Sequence, residues 1–75
     1  MKDLILFVAR SLVEHPDRVE VIEVQDGPVT VYELRVDPDD IGKVIGREGR
    51  IIRAFRTLVK ASAVKRGLRV TLDVV

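Results

Sequence analysis

Residues 42 to 51 read GKVIGREGRI and bring three glycines and three basic side chains, Lys43, Arg47 and Arg50, into ten positions. Gly46 and Gly49 enclose Arg47 and Glu48. That spacing suits a tight turn between helices, and such a turn fits a phosphate. Glycines carry no β-carbon, so a polymer backbone comes close. The N–H groups that open the following helix point outward, and its dipole favours negative charge. Arg47 adds a mobile cation. The chemistry is recognition of an anion rather than the making or breaking of bonds. Taken alone, a G-x-x-G is equally a helix-closing glycine followed by a new helix start.

The residues that follow extend the positive surface. Plotted at helical spacing, Ile51, Ile52, Phe55, Leu58 and Val59 fall on one arc, which is expected to pack on the sheet. Arg50, Arg53, Arg56 and Lys60 fall roughly opposite. A stripe of this kind is often no more than a solvated face. This one, however, has one sign, has no glutamate at the four-residue spacing that forms helical ion pairs, and continues through Arg47 to Lys43. The whole chain is divided in the same way. Residues 1 to 42 hold four basic and ten acidic residues, a net of −6, whereas residues 43 to 75 hold nine basic and two acidic, a net of +7. The near-neutral total of +1 hides a half suited to a polyanion.

Other chemistries find little support. G-x-x-x-x-G-K-[ST] is absent and the glycine spacing does not fit G-x-G-x-x-G, so a nucleotide cofactor is not expected. His15 is the single histidine, read as a surface residue beside Pro16, and with only Ser11 and Ser62 it assembles no hydrolytic triad. Asp37, Asp39 and Asp40 are better explained by helix electrostatics than by a metal. No enzyme, cofactor, metal or small-molecule substrate is expected. Phe7, Tyr32 and Phe55 are the only aromatics; Phe7 and Phe55 fall on core arcs and Tyr32, open to either face of the sheet, suits the core better, so recognition by base stacking is not expected.

The elements that must hold the turn follow from periodicity. Leu4, Ile5, Phe7, Val8, Leu12 and Val13 mark a helix over about residues 3–14, with Asp3 as its cap and Pro16 as its stop. VEVIEVQ (19–25) and VTVYELRV (29–36) are strands joined by Asp26-Gly27-Pro28. DPDD (37–40) supplies a capping aspartate and a proline at the first helical position, giving a short helix from Pro38 to Ile45 closed by Gly46. A longer helix runs over 50–65 and ends at Gly67, and LRVTLDV (68–74) alternates as a strand with Leu68, Val70, Leu72 and Val74 on one face, toward the core. The fold class is α+β: helix, strand, strand, helix, helix, strand, with a three-stranded mixed sheet and helices on one face. Strands 29–36 and 68–74 are expected to run parallel across the helical crossover.

The 75 residues suit one domain, 1–75, with a small core for which self-association is a plausible aid. Hydrophobic residues at 47% and charged residues at 33% indicate a folded chain. The absence of cysteine fits a reducing cytoplasm. No signal peptide or membrane span is read in the opening MKDLILFVAR.

The run IGKVIG, then REG, then RIIRAF, resembles the core motif of the KH domain over Ile41 to about Ser62. The extra helix and strand before the motif are similar to the prokaryotic type II arrangement. The length is similar to that of the small single-domain bacterial RNA-binding proteins of the KhpA family. The resemblance implies that Gly46, Arg47, Glu48 and Gly49 clamp the backbone of about four nucleotides of single-stranded RNA. Bases would lie in an aliphatic groove formed by Ile41, Gly42, Val44 and Ile45 near Ile52, with Lys43, Arg50 and Arg53 alongside. Gly42 would leave room for a base. Val70 and Leu72 are candidates for its floor, although plain core suits them, and Ile45, better. The resemblance also implies low sequence specificity, a role as post-transcriptional regulator or RNA chaperone, a homodimer, and pairing with a larger KH-containing protein of the KhpB type. Glu48 departs from the basic or neutral residue common in the family. A second reading is a dimerising interaction module with weak RNA affinity of its own.

Overall fold

A computed structural model describes all 75 residues. The first helix, α1 (Lys2–Leu12), leads through a single helical turn at Pro16–Arg18 to an antiparallel hairpin of β1 (Glu20–Asp26) and β2 (Val29–Arg35). A turn at Pro38–Asp40 opens α2 (Ile41–Ile45), a turn at Arg47–Gly49 leads to α3 (Arg50–Lys65), and β3 (Arg69–Val74) ends the chain. The sheet order is β1-β2-β3, with β2 and β3 parallel from Val29↔Arg69 to Leu34↔Val74, as the helical crossover required.

Alternation along the strands divides the sheet into two faces. Val21, Tyr32, Leu34, Val70 and Leu72 turn inward, where Ile5 and Ala9 of α1, Val44 of α2, and Ile52, Phe55, Val59 and Ala63 of α3 cover them. Tyr32, expected in the core, is 5% exposed. The other face carries Ile22, Val24 and Val31 among charged residues and has no helix over it.

Local signals set most element ends. The Asp37 carboxylate accepts the N–H of Asp39 at 2.9 Å, the capping bond its position predicts. Gly67, with φ of 69°, closes α3: Leu68 N–H reaches the Ala63 carbonyl at 2.9 Å and Gly67 N–H that of Val64 at 3.1 Å. This is the Schellman pattern. Where Asp3 was expected as a cap, α1 instead begins a residue earlier with Met1 at its cap, and Asp3 lies in the first turn.

Four assignments to the core are corrected. Phe7 is 72% exposed, because Ile5 and Ala9 set the buried stripe of α1 and a residue midway between them points away. Leu58 (46%) and Ile51 (37%) lie at the margin of the α3 stripe, facing a groove rather than the sheet. Leu68 (46%) belongs to the closing turn of α3, since β3 starts at Arg69. The first helix also stops at Leu12 rather than at residue 14, for a reason that lies in the site.

Candidate nucleic-acid interface

The turn between α2 and α3 is built from residues with positive φ. Gly46 has φ 76° and ψ 174°, a region essentially reserved for glycine, and a β-carbon there would sit 2.5 to 2.8 Å from side-chain atoms of Ile51. Glu48 (φ 57°) and Gly49 (φ 71°) are both left-handed. Three such residues within four positions reverse the chain sharply, leaving the Arg47 and Glu48 side chains exposed at the tip. Ile51, read from periodicity as core alone, is the side chain that occupies the space beside Gly46.

Hydrogen bonds spend part of what the spacing had offered to an anion. Gly49 N–H donates to the Gly46 carbonyl at 3.2 Å and Arg50 N–H to that of Arg47, so these two amides are satisfied within the turn. Arg53 donates through Nη2 to the Glu48 carbonyl at 2.9 Å and through Nε to the Gly49 carbonyl at 3.3 Å. Its guanidinium braces the turn from behind. Arg50 pairs with Glu48 at 3.3 Å. Arg56 Nε donates to the Leu72 carbonyl of β3 at 2.9 Å, and Lys43 lies 3.5 Å from Glu14 and 3.7 Å from Asp40. The basic stripe is therefore not uniformly free: Arg47 and Lys60 alone among these side chains lack an ion-pair or hydrogen-bond partner. Glu48, the departure noted above, finds its partner in Arg50.

The aliphatic surface is narrower than expected. Val44 is 0% and Ile52 5% exposed, so both lie in the core beneath the surface. Ile41, exposed, and Ile45, half-buried, share one side of α2 at four-residue spacing. Gly42 lies on the same short helix, and a β-carbon there would meet nothing within 4 Å. Val70 and Leu72 are buried, as their alternation suggested. The outward surface therefore consists of Ile41, Gly42, Ile45 and the turn.

Behind α2 lies a feature that the sequence reading missed. Asp40, assigned to helix electrostatics, has a side chain with 0% exposure. One oxygen accepts the N–H of Glu14 at 3.2 Å, and the other accepts the N–H of His15 at 3.0 Å and meets the His15 ring Nδ1 at 2.9 Å. His15, expected as a plain surface residue, is 44% exposed and held to this carboxylate. These bonds explain why α1 stops at Leu12: the next N–H groups that would continue its ladder turn to Asp40. Burial alone would raise the Asp40 carboxyl, but the His15 ring and the two N–H donors outweigh it and hold it below the usual carboxylate range. No three His, Asp or Glu side chains converge as a metal would require.

The order of elements, the mixed sheet with helices on one face, and the glycine-bounded turn between α2 and α3 define a KH-type fold. A family model for the KH domain of KhpA/KhpB matches residues 2–74, and the chain belongs to this family. It is similar to the RNA-binding protein KhpA of Clostridium acetobutylicum, 48% identical over the full length of both chains. It is similar also to that of Halalkalibacterium halodurans, 49% identical over all of this chain and 99% of the relative. The Aquifex aeolicus protein of the same name is 46% identical over 99% of this chain and 94% of its own. These relatives are named as RNA-binding proteins and not as enzymes. No solved structure matches the chain. No helix is long and apolar enough to cross a membrane.

Proposed function

We propose that this chain binds single-stranded RNA in the reducing cytoplasm, with the sugar-phosphate strand against Gly46–Gly49 and bases along Ile41, Gly42 and Ile45. The observation that carries this reading is the exposed turn, with positive φ at Gly46, Glu48 and Gly49 and an unpaired Arg47 at its tip, at the opening of a 16-residue helix. The names of the full-length relatives support RNA as the partner. Sequence specificity is low, because Tyr32 and Phe55 are buried and the bases meet aliphatic carbon. The role proposed with it, from the family resemblance, is that of a post-transcriptional regulator or RNA chaperone. Replacing Arg47 and Glu48 together by aspartate tests the reading. Both side chains are exposed, so melting shifts little, while affinity for a labelled oligoribonucleotide falls at least about a hundredfold, because Arg47→Asp reverses the charge at the tip and Glu48→Asp sets a second short carboxylate beside it. Retained affinity would remove the turn from the account.

A second reading coexists with the first: the chain self-associates, or pairs with a KhpB-type protein, through the groove between α1 and α3. Val8, Leu12, Ile51, Ala54 and Leu58 line that groove, an apolar strip on a small surface. Sedimentation equilibrium without RNA should give twice the 8.4 kDa chain mass, and Leu58→Glu should restore the monomer. A wild-type monomer at high micromolar concentration would count against self-association.

A further inference from the structure

Asp40 immediately precedes the helix that carries Ile41, Gly42 and Ile45, and it is the only fully buried charged residue of the chain. It lies 25 residues from His15 in sequence, yet its two oxygens join the end of α1 to the start of α2 through three hydrogen bonds. Lys43, on the first turn of α2, reaches both Asp40 and Glu14, so the same node holds a cation beside the RNA surface. A five-residue helix is too short to hold its own orientation in water, and its direction is set by what anchors it.

We propose that Asp40 is the positioning residue of the RNA surface, and that the charge on His15 sets how firmly it holds α2. This inference rests on the RNA reading above and concerns the residues behind that surface. Breaking the tie frees the end of α1 and the first turn of α2 together, because both hang on one carboxylate. The N–H groups of Glu14 and His15 would then lack their acceptor, and Lys43 would lose its nearest buried anion.

The groups facing the pair are Glu14 after α1, Lys43 on α2, and Asp37 and Asp39 of the preceding turn. The hydrogen bond to Asp40 keeps the His15 imidazolium charged to higher pH than a free imidazole. Desolvation opposes this, and the potential of Asp37, Asp40 and Asp39 adds to it. The charged tie is therefore complete below the ordinary histidine range and weakens as pH rises through the raised His15 value. At the acid end it is complete above the ordinary aspartate range and is lost as pH falls through the lowered Asp40 value.

His15 is the only histidine, which makes the test direct. Wild type and His15→Gln, which keeps a hydrogen-bond donor without the charge, are titrated across about pH 5.5 to 8 at constant ionic strength. Amide shifts of Ile41 to Gly46 are followed by NMR, and affinity for a labelled oligoadenylate is measured in parallel. In the wild type those amides move with the His15 ring and affinity falls at least about fivefold toward the alkaline end. His15→Gln shows neither change and sits near the wild type's alkaline affinity. Amides of α2 that stay silent while the ring titrates would overturn the proposal, as would identical affinity profiles for the two proteins. Absence of RNA binding at every pH, with the amide titration intact, would reject the RNA reading and with it the positioning role, a result distinguishable from failure of the tie itself.

Discussion

Gly46, Gly49 and Gly42 share a side-chain type and differ in what they do. At Gly46 the backbone lies in a glycine-only region and Ile51 already occupies the place of a β-carbon, so Gly46→Ala meets both strain and overlap. Each costs about 1–3 kcal/mol. Thermal melting should fall by at least about 10 °C for a domain of this size. At Gly49 the nearest atom to an added β-carbon is 3.8 Å away, so Gly49→Ala carries only the left-handed penalty of about 1–2 kcal/mol. The ordering is the check: melting curves that ranked Gly49→Ala as the more damaging would mean that Ile51 does not buttress the turn. Glu48 tolerates its φ of 57° without glycine's freedom, and its exposed pair with Arg50 contributes at most about 1 kcal/mol.

The short helix α2 gives the cleanest separation of folding from binding. Gly42 lies within it, and a methyl group there meets open space, so Gly42→Ala should raise stability by about 0.5–1 kcal/mol through helix propensity. The same methyl group stands where a base would pack between Ile41 and Ile45, so RNA affinity should fall while the melting temperature rises. Unfolding and binding measured on one preparation decide it, and a parallel rise in both would take the bases away from α2. This helix also marks where reading from sequence alone succeeds and where it stops. The glycine turn, the capping Asp37, the parallel pairing of β2 with β3 and the inward set Val70 and Leu72 are all local or periodic signals, and they were legible. The buried Asp40 was not, because its partners Glu14 and His15 lie 26 and 25 residues away and a first-turn aspartate already has a sufficient local explanation. The burial of Ile52 was legible from the α3 arc, whereas that of Val44 was not, since a five-residue helix is too short to show a periodic face.

Charge is distributed across the fold so that the acidic half, with the hairpin, and the basic half, with α3, meet at α2. Lys43 is paired with Glu14 and Asp40 across that junction, and Arg56 is fixed to the edge strand β3, so the positive surface is partly neutralised and partly spent on holding the fold. What is left unpaired for a polyanion is Arg47 and Lys60 of the stripe, with the exposed Lys65, Arg66 and Arg69 beyond it. The uncovered sheet face sets Ile22, Val24 and Val31 among Glu20, Asp26, Glu33 and Asp73, which outnumber its two cations, Arg35 and Arg69. Chemical-shift mapping of the labelled protein on addition of a single-stranded oligoribonucleotide therefore discriminates between the two surfaces. The largest perturbations should fall on Gly46 to Arg50 and on Ile41, Gly42 and Ile45. Perturbations confined to the outward residues of β1 and β2, with the amides of Gly46 to Gly49 unmoved, would contradict the assignment of RNA to the turn.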